Sequence, residues 1–134
     1  MEFLVMDVHL SVEIKDDLLV AHLLFLNKST QKIYLDGMTL CSENKVEREV
    51  FTLIDEDGKR AAYTGRMLKR NVTPEEYISL DIGEQLTTTA ILNEAYRLRR
   101  GTKYIIQYSA YNPQTLHDDD PLIKMESNQV EIVY

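Results

Sequence analysis

Residues Leu98–Tyr108 read "LRRGTKYIIQY", and the spacing of Gly101 and Tyr104 within them decides the fold. Beyond the glycine, Tyr104, Ile106 and Tyr108 alternate with Lys103, Gln107 and Ser109, and the alternation runs on to Ala110. A period of two with one apolar phase is the pattern of a strand that buries one face and wets the other. The glycine ahead of it supplies a turn that a residue with a β-carbon makes poorly. The stretch therefore predicts a core strand entered through a tight turn.

The same period recurs on both sides of it. Towards the N-terminus, Leu4, Met6, Val8, Leu10, Val12 and Ile14 alternate with Asp7, His9, Ser11 and Glu13, predicting a half-buried strand. "KDD" breaks the run and "LLVAHLLFL" follows, so a hairpin is expected across Lys15–Asp17. The second run is apolar in both phases, which suits a central strand covered on both faces. "NKSTQ" is turn chemistry, "KIYL" a short strand and "DGMTLCSENKVERE" an irregular stretch, either a long loop or a crossover between sheets. "VFTLIDEDGKRAAYTG" reads as a strand to Ile54, a turn at Asp57-Gly58 and a return strand through Tyr63.

Further on, "YISLDIGEQLTTTAIL" has a turn at Asp81–Glu84, after which Leu86, Thr88, Ala90 and Leu92 share one face and Thr87, Thr89 and Ile91 the other. "NEAYRLRRG" is a connection with room for one helical turn. After the polar loop "NPQTLHDDDP", the final strand "QVEIVY" aligns Val130, Ile132 and Tyr134. Seven to nine short strands with turns between them, and no long helical period, predict an all-β, immunoglobulin-like antiparallel β-sandwich. With 134 residues and no repeat or linker, residues 1–134 form one predicted domain. In such sandwiches a tyrosine at the start of a late strand folds back to bond the backbone upstream, and Tyr104 is the candidate. Ile106 stands where antibody domains carry a cysteine.

Composition narrows the function. Fifteen Lys and Arg against 22 Asp and Glu give a formal charge of −7. That balance excludes a nucleic-acid partner, because phosphate binding runs on surplus cations. No run of apolar residues is long enough for a membrane helix and no secretory leader is evident, so a cytoplasmic location is expected. Asn27 and Asn71 head the sequons "NKS" and "NVT", which a chain that is not exported never presents for glycosylation. The single Cys41 forms no internal bridge, and its "MTLC" setting reads as packing.

The motifs of catalysis are missing. His9, His22 and His117 show no HExxH spacing, and there is no GxSxG, P-loop or GxGxxG. His9 and His22 fall on adjacent predicted strands, where two imidazoles alone fall short of the three or four ligands of a zinc site. "DEDG" at Asp55–Gly58 opens like a calcium loop, but the twelfth position is Arg66, and a hairpin turn accounts for it better. His117, Asp118, Asp119 and Asp120 remain as loop candidates for contact with a partner or cation. No catalytic residue, metal site or cofactor is expected.

Two longer segments carry a resemblance. "FTLIDEDGKRAAYTGRMLKR", followed by "ISLDIGEQLTTTAILNEAYRLRRGTKYIIQYSAY", resembles the N-terminal β-domain of deuterolysin-type, lysine-specific zinc endopeptidases. The matching positions are "YTG" at Tyr63–Gly65, "LDIGE" at Leu80–Glu84, "AYRL" at Ala95–Leu98 and "GTKY" at Gly101–Tyr104, with Ile82 where that turn usually has proline. The bacterial intracellular proteinase inhibitors are more distantly similar. The peptidase's catalytic domain has no counterpart here. The resemblance thus implies a non-catalytic accessory module that binds another protein, a peptidase among the candidates. The alternatives are an intracellular proteinase inhibitor and a structural subunit of a homo-oligomer. Eight tyrosines and five methionines are residue types that interfaces favour.

Overall fold

A computed structural model describes residues 6–42, 44–65, 77–113 and 122–134. Eight strands account for most of them: β1 (Met6–Lys15), β2 (Leu18–Asn27), β3 (Ile33–Asp36), β4 (Phe51–Ile54), β5 (Tyr77–Leu80), β6 (Gln85–Ile91), β7 (Lys103–Pro113) and β8 (Leu122–Val133). One 3-10 turn, Leu92–Glu94, is the helical turn anticipated after β6. Six strands join in the order β4-β7-β8-β1-β2-β6, and β3 pairs with β5 in a separate ribbon.

The long sheet is folded over on itself. β7 and β2 are three strand spacings apart in its order, so a flat sheet would separate them by roughly 14 Å. Yet the rings of Phe25 on β2 and Tyr108 on β7 pack edge to face with centroids 5.5 Å apart. The two halves, β4-β7-β8 and β1-β2-β6, therefore face each other as the layers of a sandwich. The hinge lies where β1 meets β8, the one parallel pairing among the described residues, registered at Val8 and Ser127 alone. Beside it the amide of Asn128 replaces a strand partner. Its Oδ1 accepts from the Leu10 N–H at 2.8 Å, and its Nδ2 donates to the Leu10 carbonyl at 3.0 Å.

Between the layers lies the core that the alternation predicts. Leu10, Leu23, Phe25, Phe51, Leu53, Ala90, Leu92, Tyr104, Ile106 and Tyr108 are buried. Tyr108 also donates from its hydroxyl to the Thr39 carbonyl at 2.5 Å, tying β7 to the crossover after β3. The β1–β2 hairpin forms as expected, in register from Met6–Asn27 to Lys15–Leu18. Its two-residue turn holds Asp16 and Asp17 at φ 50° and 66°, the left-handed pair that the twist of a tight hairpin demands.

Two expectations change. β2 buries Leu19, Ala21, Leu23, Phe25 and Asn27, while Val20, His22 and Leu24 on its other face are half-exposed, because among the described residues no second layer covers that side. The return strand through Tyr63 shrinks to two isolated bridges, Ile54–Arg60 and Tyr63–Tyr96. After Ala61, which still donates to Leu53 of β4, the residues follow Ala95–Arg97 instead: Thr64 and Gly65 donate to the Ala95 carbonyl, and Arg97 donates to that of Ala62. The turn expected at Asp81–Glu84 forms, with the Glu84 N–H donating to the Asp81 carbonyl at 2.9 Å, and it joins two sheets. β5 pairs with β3 and β6 with β2, so the chain crosses between sheets there.

Candidate protein-interaction site

The two ends of the six-stranded sheet differ. At β4 the outer edge is closed by the chain's own groups. The Phe51 N–H donates to the Tyr96 hydroxyl at 2.9 Å, and the Leu53 carbonyl accepts from Ala61 at 2.8 Å. At β6, among the described residues, one side chain meets the outer edge. Asn44 Oδ1 accepts from the Thr89 N–H at 3.2 Å and from Thr89 Oγ1 at 3.1 Å. Asn44 reaches this point from the irregular crossover, where it sits in the left-handed region at φ 62°.

Since Thr89 turns its N–H outward, the two-residue period of an antiparallel ladder turns the backbone of Thr87 outward as well. Among the described residues nothing bonds it. An exposed run of N–H and C=O groups is a template for another strand. Beside this edge, on the outer face of β1-β2-β6, lies a shallow groove of about 460 Å³. His9, Ser11, His22, Leu24, Thr87 and Thr89 line it, with Asn44 at its end. The groove is hydroxyl- and imidazole-rich with an aliphatic floor. Such a lining suits the alternate side chains of an extended peptide more than it suits one small molecule.

His9 and His22 are thus brought to one face, as adjacent strands imply. His22 pairs across the ladder with Ser11 and His9 with Leu24, so the two imidazoles are diagonal neighbours. His22 Nε2 lies 2.9 Å from Glu13 Oε1, both side chains being substantially exposed. Among the described residues no three His, Cys, Asp or Glu side chains gather as metal ligands.

Cys41 is a packing thiol. It is buried at φ 56° in the crossover, and burial, with help from the Glu47 charge, pushes its pKa up to about 12. A thiol so raised carries almost no thiolate at neutral pH, and the thiolate is the nucleophile. Asp55 behaves as the hairpin reading requires. Its Oδ1 accepts from the N–H groups of Asp57 and Lys59, both at 2.9 Å, and its Oδ2 meets Arg99 at 3.1 Å. The Lys59 and Asp57 amides and the Arg99 guanidinium hold its carboxyl below the usual range against a smaller opposing effect of burial. Gly58, at φ 78°, lets the turn close beneath it.

The acidic loop candidates His117, Asp118, Asp119 and Asp120 lie outside the described residues, as does Asn71. Thr87, Thr89 and Asn44 were not legible as a site. The sequence puts Thr87 and Thr89 on an outer face, but only the strand order reveals that β6 is an edge. No helix among the described residues is long and apolar enough to cross a membrane. No known family model matches the chain, and no curated protein matches it.

Proposed function

We propose that the chain is a non-catalytic protein-binding β-sandwich, an accessory module that takes an extended segment of another protein along β6. The observation that carries this reading is the asymmetry of the sheet ends: β4 is closed by Tyr96 and Ala61, whereas β6 is open at Thr87 beside a groove. Strand addition at such an edge draws affinity from main-chain hydrogen bonds and selectivity from the adjoining groove. The non-catalytic part rests on the burial of Cys41 and on the lack of a catalytic motif in the sequence. The resemblance to the N-terminal domain of deuterolysin-type endopeptidases makes a peptidase the first partner to try, with the module as its accessory domain or its inhibitor.

Thr87→Pro tests the reading. Proline removes the outward N–H and sets its ring where the incoming strand would lie, without touching a ladder bond to β2. A partner retained from host extract by the native protein and lost by Thr87→Pro, at unchanged melting temperature, supports it. Equal retention of the same partner by both proteins overturns it. A protein that returns only its own chain, and sediments as a dimer that Thr87→Pro dissociates, makes β6 a self-pairing edge and the chain a structural subunit. If a peptidase is retained but its activity is unchanged at a stoichiometric amount of the chain, the inhibitor version is discarded.

A further inference from the structure

A second surface, remote in character from the β6 groove, is built of cations. Between the turn after β4 and the segment leading into β7 lies a cleft of about 230 Å³ lined by Lys59, Arg60, Arg97 and Arg99, with Tyr104 and Asp55. Four basic side chains around one cleft are unexpected in a chain of formal charge −7. Two are already engaged: Arg60 meets Glu49 at 3.1 Å, and Arg99 meets Asp55 at 3.1 Å. Asp55 gives its oxygens to Arg99 and to two backbone amides and feels the nearby Lys59 charge, but it forms no ion pair with Lys59 or Arg97. Lys59 and Arg97 are exposed and make no ion pair among the described residues.

A third group points to the same place. The Tyr104 hydroxyl accepts from the Arg99 N–H at 2.9 Å. Among the described residues it donates to nothing, although Tyr104 is only 3% exposed. A phenol can accept and donate at once, so one donor is unspent beside two unpaired cations. Two positive charges and an O–H donor match an oxyanion.

We propose that this cleft binds a carboxylate side chain of an acidic peptide segment. Its volume is below the roughly 300 Å³ at which whole small-molecule sites begin, so it suits a headgroup carried on a longer chain. The guanidinium of Arg97 presents paired N–H groups to planar oxygens. The inference is independent of the β6 edge.

The test is an NMR titration of the intact chain at about 0.1 M salt, where the screening length is about 10 Å, with capped hexaglutamate, and with capped hexaglutamine as the neutral probe. Hexaglutamate is expected to shift the resonances of Lys59, Arg97 and Tyr104 saturably, and hexaglutamine is not. Lys59→Gln with Arg97→Gln, both at exposed positions, is expected to weaken binding roughly tenfold or more. Lys15→Gln with Lys32→Gln, which removes the same charge elsewhere, is expected to leave it within about twofold, as screened distant charges allow. Tyr104→Phe, checked for an intact fold, is expected to weaken it about threefold to tenfold. No saturable shift, or equal weakening by the two double variants, overturns the proposal. Inorganic phosphate that saturates the same resonances where hexaglutamate does not would overturn the acidic peptide as the ligand in favour of free phosphate.

Discussion

The hydroxyl of Tyr104 accepts a hydrogen bond from the backbone N–H of Arg99, five residues upstream and 2.9 Å away. That bond is the corner the "RRGTKY" spacing predicts. Gly101, at φ 77°, turns the chain between them, and its N–H donates to the carbonyl of Tyr134 at 2.8 Å. Tyr134 in turn donates to the Thr102 carbonyl at 2.9 Å, so the mouth of β7 is sealed against the end of β8. Tyr104→Phe keeps the ring and removes the acceptor, leaving a partly buried N–H without its partner. A loss of about 1–2 kcal/mol is expected, read from urea unfolding as a lower midpoint at unchanged slope. An unchanged midpoint would mean that water replaces the hydroxyl without cost.

Asn27 offers a sharper contrast. Its side chain is fully buried, with Nδ2 donating to the carbonyls of Gln31 at 3.0 Å and Leu80 at 2.9 Å. Oδ1 accepts from Ser29 N–H at 2.9 Å and Ser29 Oγ at 2.7 Å. The sequon there is closed in the folded protein, since the nitrogen a glycan would take is already spent. Asn27→Asp replaces that donor with an oxygen facing two carbonyls. The new carboxyl is expected to ionise less readily folded than unfolded. The substitution should therefore cost least below the ordinary aspartate pKa of about 3.8, where it can still donate one bond as an acid, and progressively more as pH rises above it. Asn27→Ala should show no such pH dependence. Parallel pH profiles for the two variants would contradict this.

Asp55 works with the opposite sign. Its folded pKa lies below the ordinary value of 3.8, chiefly through the Lys59 amide, so its contribution is complete above that value and fades as pH falls through the lowered one. Asp55→Asn keeps an acceptor for the turn but has nothing to protonate. Its stability is expected to fall less steeply than that of the native protein on the acid side of pH 4. Superimposable acid limbs would show that the turn does not depend on the charge.

Cys41 gives a probe of opening. At pH 8, a thiol with a pKa near 12 is ionised in roughly one molecule in ten thousand, and its burial blocks reagent besides. An aromatic disulfide reagent is expected to label the chain promptly in denaturant and only at the rate of unfolding in buffer. Prompt labelling of the native protein would mean that the crossover after β3 opens without global unfolding.

Strand count, the β1–β2 hairpin, the buried phase of β7 and the Tyr104 corner were legible because each depends on local backbone geometry and a two-residue period. The same period could not say which strands are neighbours. β5 and β6 adjoin in sequence around Asp81–Glu84 yet pair with β3 and β2, since the turn is also compatible with a crossover. Nor could it show that the outer face of β2 stays half-exposed, because apolar residues in both phases fit a covered strand equally well. Alternation fixes which side chains are apolar on each face, and only the packing of distant strands decides what covers that face.

The candidate sites follow from the same division. By itself the sequence determined an all-β sandwich, the turns at Gly58 and Gly101, the corner at Tyr104 and a thiol suited to packing, each an effect reaching only a few residues along the chain. Tertiary structure alone decided the rest. It made β6 an edge with Asn44 against it, folded the sheet at Asn128 so that Phe25 meets Tyr108, and brought Lys59, Arg97 and Tyr104 to the lining of one cleft. These contacts join residues far apart in the chain, where no local period carries information and the burial of the shared core selects the pairing.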